Sequence, residues 1–259
     1  MAIEGGTGFP TVGASLAMLR GLGEAGGMTT ITFITGANKG LGYESARRLT
    51  EMGQTVILGA RDPERGTAAA GRLGVRFVRI DVTDDASVAA AAADVEAHEG
   101  RVDVLVNNAG IIGSHAKAGD ITGDDAALVF ETNVFSVVRV THAFLPLLRR
   151  SEAPAVINVS SGMGSQTLTH DPDRVESTVS APLYPASKAA VTMMTMQYAK
   201  ALPDIRFNAA DPGYTATDFN GHRGTQTVAE GTDAIVTLAT EPPAAGTGRY
   251  IDRFGPVPW

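Results

Sequence analysis

The chain has 259 residues, 44% of them hydrophobic and 19% charged, which is enough apolar material for a large core and rules out a disordered chain. A net charge of −7, with no block of Lys and Arg to offset it, argues against a nucleic-acid partner. The chain has no cysteine, so disulfides, thiolate metal sites and cysteine nucleophiles are excluded, and a reducing, cytoplasmic setting is expected.

Residues 1–27 are rich in Gly, with one apolar run from Ala14 to Leu19. Glu4 is the only charge before Arg20, so the basic start of a signal peptide is missing. The segment reads as a flexible extension, with a short docking helix over Ser15–Leu22 as the alternative. The folded domain then begins at Met28 and runs to residue 259. No stretch approaches the ~20 apolar residues of a membrane span, so no membrane partner is expected.

From there, apolar runs alternate with helical patterns. Strands are predicted at Thr30–Thr35, Thr55–Gly59, Arg76–Ile80, Val102–Asn107, Ala155–Ser160, Arg206–Ala210 and Arg249–Asp252. Helices are predicted at Leu41–Met52, Pro63–Leu73, Asp85–Glu99, Asp124–Arg150, Leu183–Ala201 and Thr227–Thr240. Most strands are continuous apolar runs, which suits strands covered on both faces. This order predicts an α/β fold: a single doubly wound, Rossmann-type parallel sheet of about seven strands with helices on both faces. Ligands of such sheets bind at the carboxyl ends of the strands.

The residues at those ends are informative. The first strand leads into Thr35-Gly36-Ala37-Asn38-Lys39-Gly40-Leu41-Gly42. Gly36 permits a tight turn, Gly40 a close approach to a pyrophosphate, and Gly42 close packing of the next helix, whose free N–H groups face the phosphates. The second strand ends Ala60-Arg61-Asp62. An acid here would hold a ribose hydroxyl, whereas Arg61, with Lys39 in reach, can clamp a 2′-phosphate. The two cations point to NADP (NADPH). Asp62 is the competing reading if the register slips. The third strand ends Ile80-Asp81-Val82, where Asp81 either accepts from an adenine amino group or caps the next helix. The fourth ends Asn107-Asn108-Ala109-Gly110, a small-residue turn that leaves a cofactor room and whose amides can brace backbone.

The fifth strand ends in Ser160-Ser161, and Tyr184-Pro185-Ala186-Ser187-Lys188 opens a helix. The YxxxK spacing places phenol and ammonium on one helical face. At ~4 Å and an effective dielectric of ~20, the ammonium stabilises a phenolate by roughly 4 kcal/mol. That is about three pKa units, which would bring a tyrosine towards ~7.

Together these motifs resemble the short-chain dehydrogenase/reductase family, most of all its carbonyl-reductase-like branch, over essentially all of residues 29–259. The resemblance implies Tyr184 as catalytic acid/base and Lys188 as the group that lowers its pKa and holds the nicotinamide ribose. It implies Ser161 as the hydrogen-bond partner of the substrate oxygen, with Ser160 turned to the other face. Asn133 then supports a proton-relay water beside the lysine. Pro212-Gly213-Tyr214-Thr215-Ala216-Thr217 contacts the nicotinamide amide and orders over the cofactor. The implied reaction is hydride transfer between NADPH and the carbon of a small carbonyl or alcohol substrate, by a homo-dimer or homo-tetramer. Ser161 and Tyr184 are 23 positions apart, wider than in many members, and the extra segment Leu168–Ser180 is expected to rim the pocket.

Three other readings compete. A non-catalytic NADP sensor on this fold would be expected to lose the Tyr or the Lys. A sugar-nucleotide epimerase or dehydratase usually carries TGxxGxxG and a longer substrate domain. Reduction of a carbon–carbon double bond stays open. The five histidines show no metal-ligand spacing, so no metal site is expected; His170 and His222 are candidate pocket residues, with surface placement preferred. Ile111, Met163, Tyr214, Phe219 and Trp259 are the candidates for an apolar substrate wall.

Overall fold

The computed structural model describes residues 29–114 and 116–259. The extension expected over residues 1–27 and the domain start at Met28 lie outside the described residues. Eight strands form one sheet in the order β3-β2-β1-β4-β5-β6-β7-β8. They are β1 (Ile31–Ile34), β2 (Thr55–Ala60), β3 (Arg76–Arg79), β4 (Val104–Asn107), β5 (Ala155–Val159), β6 (Arg206–Ala210), β7 (Tyr250–Asp252) and β8 (Gly255–Pro256). The first seven pair in parallel, as expected. The eighth is a two-residue antiparallel edge, pairing Ile251 with Pro256 and Asp252 with Gly255. So short a strand carries no hydrophobic period, which is why the sequence does not announce it.

The helices are α1 (Gly40–Glu51), α2 (Pro63–Leu73), α3 (Asp85–Glu99), α4 (Gly123–Phe130), α5 (Ser136–Leu148), α6 (Gln166–His170), α7 (Leu183–Ala201), α8 (Val228–Gly231) and α9 (Asp233–Thr240). Alternate residues of each strand feed opposite faces of the sheet. On one face Ile34, Leu58, Val106 and Ile157 meet Leu49 of α1, Ala69 of α2 and Leu238 of α9. On the other, Phe33, Ile57, Leu105 and Val156 meet Val95 of α3 and Phe144 of α5. The Phe33 and Phe144 rings lie 4.6 Å apart. Each such buried side chain contributes about 1.5–3 kcal/mol of burial free energy, so the two layers hold the sheet from both sides.

The long helix expected over Asp124–Arg150 is interrupted. Between α4 and α5, residues Glu131–Phe135 form a π turn. Such a wider turn needs five residues per hydrogen-bonded ring and often marks a functional site. The run Gly123–Leu148 is long and apolar enough to cross a membrane, contrary to the sequence reading. Its apolar face is nevertheless used internally: Val137, Val140, Phe144, Leu147 and Leu148 are buried. The helix expected over Thr227–Thr240 also breaks, at Thr232 between α8 and α9.

Candidate active site

The strand order reverses between β1 and β4, so the loops after these two strands diverge and leave a crevice. A cavity of about 880 Å³ occupies it and extends across the ends of β5 and β6. Of the residues assigned to cofactor or catalysis from sequence, all but Asn133 lie on its wall.

The glycine loop is shaped by backbone sterics. Gly36 and Gly40 have φ of +64° and +56°, a left-handed conformation that a side chain disfavours. A Cβ on Gly42 would lie 2.5 Å from Asn108 Nδ2 and 2.8 Å from the Gly36 carbonyl oxygen. Its role is therefore to let α1 pack on the loops rather than on a strand. Asn108 Nδ2 donates to the carbonyl oxygens of Thr35 and Gly36 at 2.8 and 3.2 Å, locking the β4 loop to the glycine loop. The Thr35 hydroxyl accepts from the N–H groups of Asn108 and Ala109. Asn107 instead points inward and bonds Asn158 Oδ1 at 2.9 Å.

The helix caps bear on the competing readings at β2 and β3. β2 ends at Ala60, and Arg61 lines the cavity. Asp62 does not: its carboxylate accepts from Arg65 N–H at 3.0 Å and caps α2. Likewise Asp84, not Asp81, caps α3. Asp81 faces the cavity and accepts from the N–H and hydroxyl of Thr83 at 3.0 and 2.7 Å. Burial alone would raise its pKa, but the Thr83 bonds and the charges of Arg61 and Arg79 outweigh that and hold it below the usual value. Lys39 is not a free cation. Its ammonium pairs with Asp218 at 3.1 Å, and Asp218 also accepts from His222 at 2.9 Å.

At the other end of the cavity the start of α7 brings Tyr184 and Lys188 to the end of β5 and to Ser161. Lys188 is 5% exposed, and its Nζ donates to the Val159 carbonyl at 2.8 Å. It lies 5.7 Å from the centre of the Tyr184 ring. The tyrosine pKa is not lowered as expected. Burial pushes it above its ordinary value; the nearby Ser161 hydroxyl pulls the other way, and the negative charge of Asp211 raises it further. The simple two-charge argument fails because desolvation of the phenolate exceeds what the lysine returns. Burial likewise brings Lys188 down to about 8, against the upward pull of Asp211. Ser160 is buried and turned to α7, where it bonds the Lys188 carbonyl and Thr192.

Asn133, in the π turn, is 1% exposed and stands behind the wall. Its amide accepts from Ile111 N–H at 2.8 Å and donates to Ile111 O and to Ser187 Oγ at 2.9 and 3.0 Å. A Cβ on Gly110 would lie 3.3 Å from Asn133 Oδ1 and 3.6 Å from Lys188 Nζ, so both side chains converge on that glycine. The turn thus ties the β4 loop to α7.

Ile111, Met163, Tyr214 and Phe219 line the cavity, and Phe219 packs on Tyr184 at 5.6 Å. Trp259 does not. It packs on Tyr250 at 5.7 Å, and its carbonyl accepts from Thr167. Only the second half of the extra segment reaches the rim, through Val175, Glu176, Thr178 and Val179. His170 is outside it, and His222 is exposed at the mouth. Asp211 and Glu176 were not foreseen. A charged residue directly before Pro212-Gly213, at the end of a buried strand, was the available signal for Asp211; nothing marked Glu176. Among the described residues no cluster of three or more His, Asp or Glu could hold a metal.

The family model for short chain dehydrogenases matches residues 30–227. The chain belongs to the short-chain dehydrogenase family, and it is an oxidoreductase. It is 36% identical to short-chain dehydrogenase anuI of Penicillium roqueforti, over 86% of this chain and 93% of that one. It is 32% identical to (−)-isopiperitenone reductase of Mentha piperita, over 85% and 95% of the two chains. Among solved structures, NADPH-bound carbonyl reductase from chicken fatty liver superposes with a TM-score of 0.79 at 27% identity, covering 89% of this chain and 99% of that one.

Proposed function

We propose that this enzyme is an NADPH-dependent reductase of a small, largely apolar carbonyl compound. The observation that carries the cofactor choice is the division of labour after β2, where Asp62 is consumed as a helix cap and Arg61 lines the cavity. The cradle fits a dinucleotide: Gly40 is left-handed, and a Cβ there would meet nothing nearer than 3.9 Å, so its backbone is open to a phosphate. Gly36, Asn38, Lys39, Gly40, Leu41 and Gly42 would hold the pyrophosphate side. Arg61 would take the 2′-phosphate, Asp81 and Val82 the adenine, and Asn108, Ala109 and Gly110 the adjoining ribose. Pro212, Gly213, Thr215 and Thr217 would hold the nicotinamide end. The bound cofactor supplies the hydride.

The chain's own residues handle the oxygen. Ser161 donates a hydrogen bond to the carbonyl oxygen and Tyr184 donates the proton that completes the alcohol. Tyr184 enters the reaction protonated, as an ordinary tyrosine is at neutral pH, and burial keeps it so. Lys188, brought to about 8, exchanges protons near neutrality and is placed to recharge it. Asn133 positions Ile111 and α7 around the pair. Ile111, Met163, Val179, Tyr214 and Phe219 favour an apolar substrate body.

NADPH consumption followed by absorbance with a panel of ketones and aldehydes should reveal turnover; binding without turnover of any of them would favour the sensor reading. Arg61→Glu should raise the KM for NADPH at least tenfold more than that for NADH, since a charge-assisted pair becomes a repulsion; equal effects would remove the NADP assignment. Leu128, Phe135, Val138 and Met193 stand exposed on α4, the π turn, α5 and α7, which supports assembly through this face. Light scattering at micromolar concentration should report a dimer or tetramer.

A further inference from the structure

Asp211 is a buried carboxylate that the mechanism above does not use. It is 3% exposed, yet it lies on the cavity wall between the ends of β5 and β6. Its backbone N–H stays in the sheet, donating to Ile251 O at 2.8 Å, which leaves the side chain to face the loops. There Oδ1 accepts the N–H of Gly213 at 2.8 Å, and Oδ2 stands against Gly162. Gly162 directly follows Ser161, and Gly213 opens the segment over the nicotinamide end. One carboxylate therefore touches both loops.

Gly162 makes this possible by having no side chain. A Cβ on it would stand 2.9 Å from Asp211 Oδ2 and 2.6 Å from Glu176 Oε1. The charges around Asp211 come from every side. Tyr184 and Lys188 face it from α7, Glu176 with its partner Arg174 from the extra segment, and Asp252 and Tyr250 from β7. Only the α7 ammonium and Arg174 oppose its charge, and Arg174 is engaged bidentately by Glu176 at 3.2 Å.

We propose that Asp211 is a positioning residue of the reaction site: its carboxylate holds the Pro212-Gly213 segment beside the Ser161 loop and is the counter-charge of the Lys188 ammonium, which is anchored at Val159, the β5 partner of the neighbouring Ala210. This rests on the reductase reading of the same site. Burial and the nearby acids bring Asp211 up to about 6, against the pull of the backbone N–H groups it faces, so its charge is present at neutral pH and fades below that. Both effects on α7 point the same way, since Asp211 raises Tyr184 and raises Lys188.

The test reads the lysine directly. The sequence holds only four lysines, at 39, 117, 188 and 200, so full-chain protein with carbon-13 at the lysine ε-methylene gives a simple spectrum, with Lys188 assigned through Lys188→Arg. In the wild type Lys188 should titrate near 8. Asp211→Asn keeps an acceptor for Gly213 but removes the charge, and the Lys188 midpoint should fall by roughly one unit. The high-pH limb of carbonyl reduction should fall with it. An unmoved Lys188 midpoint in folded Asp211→Asn would overturn the proposal, whereas a merely structural role would lower kcat and leave both midpoints in place. Should that variant not fold, Glu176→Gln serves. Removing Glu176's charge should lower the Asp211 midpoint, seen as a low-pH step in the Gly213 amide resonance, and a fixed step would count against the proposal. Because the resonances need no turnover, a protein that reduces no carbonyl but shows these shifts would sink the reductase reading and leave the role of Asp211 standing.

Discussion

Single side chains set the chemistry. Tyr184→Phe keeps the ring that packs on Phe219 and removes the proton that the reaction needs. Its kcat should drop about 10²–10⁴-fold while NADPH affinity, read by fluorescence, changes little. Loss of both together would mean that the phenol serves binding rather than proton transfer. The residues proposed for catalysis were visible in the sequence through the family resemblance, and the structure brings Tyr184, Lys188 and Ser161 to one end of the cavity. The protonation states were not legible. Two charges at a guessed distance ignore desolvation, which is decided by how completely α7 is covered, and coverage is a property of the whole packing.

At the scale of elements, the helix caps bear on what the motifs left open. Asp62 and Arg61 are neighbours, and either could have met a ribose. The capping bond to Arg65 N–H assigns Asp62 to α2. Asp62→Ala should therefore cost about 1 kcal/mol of stability in chemical denaturation and leave the NADPH-to-NADH preference where it was. A switched preference would return Asp62 to the ribose. Strands and helices with strong periods were readable to within a few residues. The π turn was not: a helix that widens over five residues keeps nearly the same apolar stripe as one that does not. The same limit hid the break after Gly231, where Thr232 separates α8 from α9 and its buried hydroxyl accepts from Arg48 at 2.8 Å.

For the molecule as a whole, the site is held at a cost to folding. Lys188 falls from 10.5 in an exposed setting to about 8 in the fold. A cation whose folded pKa is depressed destabilises the native state wherever both states are charged, and the cost fades between the two pKa values. Below pH 8 the cost is therefore complete, and it disappears as pH rises from 8 towards 10.5. Lys188→Met, similar in volume, should raise stability by roughly 1–3 kcal/mol at pH 7 while abolishing activity. The gain should shrink steadily above pH 8, which thermal melts across pH 6–10 would follow. A gain that is constant with pH would mean that the lysine is not buried as a charge.

Residues beyond β6 brace the Ser161 loop from a distance. Trp259 packs on Tyr250, whose hydroxyl donates to the Ser161 carbonyl at 2.6 Å, and the Trp259 carbonyl holds Thr167 at 2.7 Å. The loop that carries Ser161 is thus braced by residues from the far end of the sheet. The glycine loop and the β4 loop brace one another without them, so replacing Tyr250 or Trp259 should loosen the Ser161 loop and leave the glycine loop as it is.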